Sequence, residues 1–177
     1  NPIAQAFVRP GEAFAYQTPV YMPFLGVARN AGIQERTSLL TRNADGRYSV
    51  GWQEFEDSLD GNTRMLLFCS PHNPVGRVWE RWELERIAEN CLHRDIVICS
   101  DEIHADLVFS PHRHIPIASI DPEVANRTVT LMAPSKTFNI PGLGFSFAVV
   151  PNPEMRKKIG AARHGIVGES NLMGMVA

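Results

Sequence analysis

The sequence predicts an α/β domain: a mostly parallel sheet with helices on both faces, arranged in three layers. Three observations carry that expectation. Short, continuously apolar runs recur along the 177 residues, and proline or a polar residue closes each of them. Between the runs lie charged segments whose apolar residues return at three- and four-residue steps, the period of a helix with one buried face. Hydrophobic residues make up 44% of the chain against 20% charged, enough to fill a core and too apolar for disorder.

In chain order, residues 13–16 (Ala-Phe-Ala-Tyr) read as a strand ahead of Thr18-Pro19, and 19–31 as a helix despite Pro23 and Gly26. Residues 52–59 carry a helical pattern. Residues 64–69 are a buried strand closed by Ser70-Pro71. In Arg81–His93 the apolar set Trp82, Leu84, Ile87, Ala88, Cys91 and Leu92 is interleaved with charge, which predicts an amphipathic helix. Residues 95–100 form the next strand, ending at Asp101-Glu102. Thr128–Met132 and 145–150 complete the set, the last stopped by Pro151. A helix over 153–164 starts on Pro153 and Glu154, as helix starts favour. No internal repeat is present.

Composition narrows the partners. Lys plus Arg total 17 against 19 Asp plus Glu, a net charge of −2, so nucleic acid is not the expected partner. Apolar stretches such as 96–99 are far too short to span a bilayer, so no membrane partner is expected. Cys69, Cys91 and Cys99 are odd in number and form no Cys-x-x-Cys pair; they read as packed thiols in a reducing cytoplasm. The chain opens on Asn1 and runs out over 168–177 without a helix stop, which reads as an excerpt of a longer protein.

In sheets of this kind, ligands gather beyond the carboxyl ends of the strands. After Cys69 comes Ser70-Pro71-His72-Asn73-Pro74-Val75-Gly76, a tight loop holding a carboxamide between prolines; alone, Asn73 is an ordinary turn former. After Ser100 comes Asp101, a carboxylate that is costly at a buried strand end unless a partner satisfies it, the bland readings being a helix cap or a salt bridge. After Met132 comes Ala133-Pro134-Ser135-Lys136-Thr137-Phe138-Asn139. A lysine set among small and apolar residues loses its proton through desolvation and becomes a nucleophilic amine, whereas a lone loop lysine is ordinarily solvated. Taken together, Asn73, Asp101 and Lys136 end three different strands and would converge on one crevice. His104, His112 and His114 with Asp106 read as ordinary surface residues and no metal site is expected; Arg156-Lys157-Lys158 reads as a solvated helix face.

The three motifs resemble those of the fold-type I pyridoxal-phosphate enzymes, within the class I/II aminotransferase superfamily. Asp101-Glu-Ile-His-Ala-Asp-Leu107 with Lys136-Thr-Phe-Asn139 is most similar to the cystathionine β-lyase (C–S lyase) branch named for MalY and PatB. The resemblance implies that Lys136 bonds covalently to the aldehyde of pyridoxal 5'-phosphate and later takes the substrate Cα proton. It implies that Asp101 pairs with the ring nitrogen and Asn73 with the ring 3-oxygen. His104 stands where related aminotransferases have a tyrosine on that same oxygen. The resemblance matches Tyr21 to the aromatic that stacks on the ring and makes Ser135 a candidate phosphate ligand. Two departures stand out: Gly144 takes the place of a phosphate-binding arginine, and Ala133 that of a serine.

The implied reaction is β-elimination from a sulfur-containing amino acid, cystathionine or a cysteine conjugate, giving thiol, pyruvate and ammonia. An aminotransferase, or a catalytically incomplete interaction domain, is the alternative. The resemblance further implies a cytoplasmic homodimer acting on a small amino acid. Residues 1–177 would be the central part of the cofactor-binding large domain, with the glycine-rich phosphate loop upstream and the small domain and carboxylate-binding arginine outside this stretch.

Overall fold

The computed structural model describes residues 2–168 and 170–176. Strands β1 (Ala13–Thr18), β2 (Gln34–Arg42), β3 (Tyr48–Val50), β4 (Thr63–Cys69), β5 (Val97–Asp101), β6 (Thr128–Met132) and β7 (Phe147–Val149) form one sheet in the order β3-β2-β1-β4-β5-β6-β7. The inner strands β2, β1, β4, β5 and β6 run parallel, and β3 and β7 close the two edges antiparallel.

Because side chains alternate along a strand, an apolar run must find cover on both faces. Met65, Leu67 and Cys69 of β4 join Ala4 of α1 (Pro2–Phe7), Val27 of α2 (Val27–Ala31) and Met155 of α7 (Pro153–Arg163) in one core. Leu66 and Phe68 face the other way, onto Phe55 of α3 (Trp52–Ser58), Leu84 and Ile87 of α4 (Arg81–His93) and Val124 of α5 (Pro122–Asn126). The expected three layers follow from that alternation. Helix α4 has the expected bounds, and its start is a capping box in which Glu80 and Glu83 bond each other's backbone N–H groups. The Glu83 carboxylate also takes the buried Arg77 guanidinium, which in turn donates to the Tyr48 carbonyl and ties the β3 edge to this helix.

Several elements differ from expectation. Residues 19–31 are not one helix: a short 3-10 turn (Met22–Gly26) precedes α2, since Pro23 lacks an N–H and is accommodated only in an opening turn. β2 and β3 were not anticipated, because β2 is mostly polar and buries only Ser38 and Leu40. Its signal lay in the turn, where Asp45-Gly46 is a hairpin dipeptide and Gly46 takes a φ of 85° that a side chain would strain. The run 145–150 shortens to β7, which is exposed along its whole length rather than covered. Among the described residues no helix is long and apolar enough to cross a membrane.

Replacing Ile87 with alanine, in the fully buried face of α4, should destabilise the fold by about 2–5 kcal/mol. Val149→Ala on exposed β7 should cost no more than about 0.5 kcal/mol. Urea unfolding midpoints of the two variants check the contrast, and equal losses would contradict this assignment of the core.

Candidate active site

Parallel register sets the site. Cys69 of β4 pairs with Asp101 of β5, and Asp101 with Leu131 of β6, so the three strands end at one level. The strand order reverses between β1 and β4, the place in open α/β sheets where loops diverge and leave a crevice. Four consecutive strand ends open onto it: β1 leads to Tyr21, β4 to Asn73, β5 to Asp101 and His104, and β6 to Lys136 in the short helix α6 (Pro134–Thr137). These five side chains line one narrow crevice together with Cys69 and Ile103. Ser135, although it adjoins Lys136, does not line it. The crevice adjoins a cavity of about 320 Å³ that shares Asn73 and His104, and one of about 440 Å³ that shares Asp101 and Ile103.

Local chemistry holds each group. The Asn73 loop is pinned by a bridge between His72 and Arg77, closed by Gly76, whose φ of 68° favours a residue without Cβ. Trp79 Nε1 donates to the Cys69 carbonyl at 2.9 Å, and the Asn73 N–H reaches the Cys69 sulfur at 3.4 Å. Pro134 opens α6, and Thr137 donates its hydroxyl to Asp106 at 2.9 Å, which ties the lysine-bearing helix to the loop that carries His104. Thr137 and Asp106 therefore place the site without lining it.

The acidic pair divides its labour. Asp101 faces the crevice, whereas Glu102 turns inward and is 1% exposed. The Glu102 carboxylate accepts from the Ser100 hydroxyl (2.9 Å) and the Ile117 N–H (3.2 Å), and meets His114 Nε2 at 2.7 Å. His114 is thus not the surface residue expected of it: its side chain is 9% exposed and anchors the 111–117 segment to the strand end. His112 is exposed as expected, and His104 is half-buried.

The crevice groups are short of partners. The Asp101 side chain accepts one hydrogen bond among the described residues, from the Ile103 N–H at 3.3 Å. Burial pushes its carboxyl above the usual aspartate range; the Ile103 N–H and the charge of His104 oppose that rise, and the nearby Glu102 adds to it. Burial lowers the His104 imidazole, with Asp101 pulling it up and Lys136 pushing it down, so acid, imidazole and amine sense one another. Cys69 is pushed to about 12, chiefly by burial, and remains a thiol at neutral pH. Asn73, Tyr21 and Lys136 line this region, and none of their polar side-chain ends has a hydrogen-bond or ion-pair partner among the described residues. One expectation fails: Lys136 is exposed, so its α6 setting does not by itself remove it from water. The small residues around it are too short to cover it. The crevice itself is small, about 20 Å³, and gathers a carboxylate, an amide, an imidazole, a phenol and an amine around one opening.

Residues 2–176 match the sequence pattern of the family described as aminotransferase class I and II. Cystathionine beta-lyase PatB of Bacillus subtilis (strain 168) is 39% identical over 93% of this chain and 43% of its own length. Kynurenine–oxoglutarate transaminase 3 of Rattus norvegicus is 32% identical over 83% of this chain and 34% of its own length. Among solved structures, cystalysin from Treponema denticola, which contains a pyridoxal 5'-phosphate cofactor, superposes with a TM-score of 0.93 at 39% identity, covering 98% of this chain and 44% of that one. The chain spans less than half the length of these relatives. Fold, match and relatives agree: this chain belongs to the class I and II aminotransferase family, whose cofactor is pyridoxal phosphate.

Proposed function

We propose that the crevice holds pyridoxal 5'-phosphate and that the protein of which these residues form the central cofactor-binding part cleaves carbon–sulfur bonds by β-elimination. The observation that carries the cofactor half is Asp101: a half-buried carboxylate with one hydrogen bond, its acidity suppressed by desolvation, facing a crevice lined by unpaired polar groups. A buried charge in that condition calls for a cationic partner, which a protonated ring nitrogen provides. When bound, the cofactor supplies the electron sink that stabilises negative charge at the substrate Cα.

The residues then divide the work. Asp101 would keep a proton on the ring nitrogen, Asn73 and His104 would hold the ring oxygen, and Tyr21 would pack against the ring. Lys136 would bond the cofactor through its amine and, when free, would take the substrate Cα proton as general base. The Cβ–S bond breaks with its electron pair leaving on sulfur, and water converts the released unsaturated amine to pyruvate and ammonia. Ser135 is assigned to the phosphate, in a chain that has Gly144 and Ala133 where relatives carry further phosphate ligands.

The choice of β-elimination is supported by the 39% identity to PatB and to cystalysin, against 32% to the transaminase. Transamination on the same residues is the second reading. The whole protein is further proposed to act as a cytoplasmic homodimer on a small sulfur amino acid.

In the full-length protein, Lys136→Ala should abolish both the visible absorbance of covalently held cofactor and thiol release, and a variant that retains both would remove Lys136 from the mechanism. Asp101→Ala should keep the cofactor and lose about 100-fold or more in rate. Product analysis separates the readings: pyruvate, ammonia and thiol mark elimination, a keto acid matched to the donor marks transamination.

Asp101 also makes a stability prediction. Its folded pKa lies above the unfolded value, so the native state loses stability as pH rises through that interval and bears the full penalty above it. Cofactor-free Asp101→Asn should therefore unfold at a higher temperature than the parent at pH 7, with the gap closing below the ordinary aspartate range. Added cofactor should reverse the order. Equal midpoints at pH 7 would show that the carboxylate carries no burial penalty.

A further inference from the structure

His72 lies in the Asn73 loop and is 2% exposed. Its Nε2 stands 2.9 Å from the Pro19 carbonyl oxygen. A carbonyl only accepts, so Nε2 carries the proton and Nδ1 is bare; Nδ1 has no hydrogen-bond partner among the described residues. The ring is locked edge-on against Trp79, with centroids 5.7 Å apart at 87°. Its backbone N–H donates to the Arg77 carbonyl at 2.8 Å. The imidazole is therefore held at Nε2, against Trp79 and through its own backbone, with Nε2–H as its donor.

That donor spans the reversal point of the sheet. Pro19 follows β1 and stands two residues before Tyr21; His72 follows β4 and adjoins Asn73. Among the described residues, the His72–Pro19 bond is the only hydrogen bond joining residues 19–26 to residues 70–78. The two loops otherwise answer to separate strands.

We infer that His72 is a positioning residue: its Nε2–H bond to the Pro19 carbonyl sets Tyr21 against Asn73 across the crevice. The loop linkage stands on the geometry alone, and its bearing on the cofactor rests on the reading given above. Burial holds the imidazole below its ordinary ionisation range and the Arg77 charge adds to that, outweighing the Pro19 and Cys69 carbonyls, which pull it up.

The test uses the full-length protein with His72 replaced by Phe, Gln or Asn. Gln carries an amide N–H to about the place of Nε2; the Asn amide ends near Nδ1, short of Pro19. In the cofactor-free protein, hydrogen exchange at the amides of residues 20–26 should speed up about threefold to tenfold in the Phe and Asn variants, the worth of one neutral hydrogen bond. It should stay within about twofold of the parent in Gln. The dissociation constant for pyridoxal 5'-phosphate should weaken in the same order and by a similar factor. If the Phe variant does not fold, the Gln and Asn pair decides. Unchanged exchange in Asn overturns the linkage, and faster exchange with an unchanged dissociation constant overturns its role in positioning. A parent protein that takes up no cofactor sinks the cofactor reading, while the exchange arm still decides whether His72 joins the loops.

Discussion

Everything at this site depends on parallel pairing that brings β4, β5 and β6 to a common end. The register Cys69–Asp101–Leu131 is a row of paired Cα positions on neighbouring parallel strands, and a slip of one residue would turn Asp101 into the core and bring Glu102 to the crevice. The strands hold their register because each face has its own core: Met65 and Leu67 on one side, Leu66 and Phe68 on the other. The polar loops inherit their placement from that apolar order. Their own contacts, such as Thr137 to Asp106 and His72 to Pro19, refine a geometry that strand pairing has already set.

Adjacent carboxylates in this frame meet opposite fates. Glu102 is enclosed by a hydroxyl, a backbone N–H and an imidazole, and it serves as an internal anchor. Asp101, one residue earlier, keeps a single N–H and a raised pKa. A group left short of partners in a buried setting is a cost to the fold, and such costs concentrate where a ligand offsets them. The contrast between the two neighbours singles out Asp101 more sharply than its burial does.

The apolar surface has a similar bearing. Phe138, Phe147 and Val149 are exposed near the end of β6 and along β7, in a chain that spans 43% of PatB. Lys136 is exposed on the same side of the sequence, in the helix between those strands. Strand ends assemble the polar set, while the amine and these apolar side chains stay open to solvent.

Much of this was legible in the residues. Continuous apolar runs predict buried strands because nothing else buries both faces of a short segment, and β4, β5 and β6 lie where those runs lie. Helix α4 has its expected bounds since charge and apolar residues alternate with an unambiguous period. Asn73, Asp101 and Lys136 could be read as a set because each follows a strand, and the rule that ligands gather at carboxyl ends concerns chain direction, which is written in sequence. What could not be read is whatever depends on neighbours far along the chain. The β2–β3 hairpin is mostly polar and finds its place by pairing with β1 and by burying Leu40 and Val50. β7 has the composition of a buried strand yet lies exposed at an edge, because composition does not say which strands will be outermost. The burial of His72 and His114, the opposite facing of Asp101 and Glu102, and the exposure of Lys136 arise from packing among segments many residues apart, and local pattern carries no record of that.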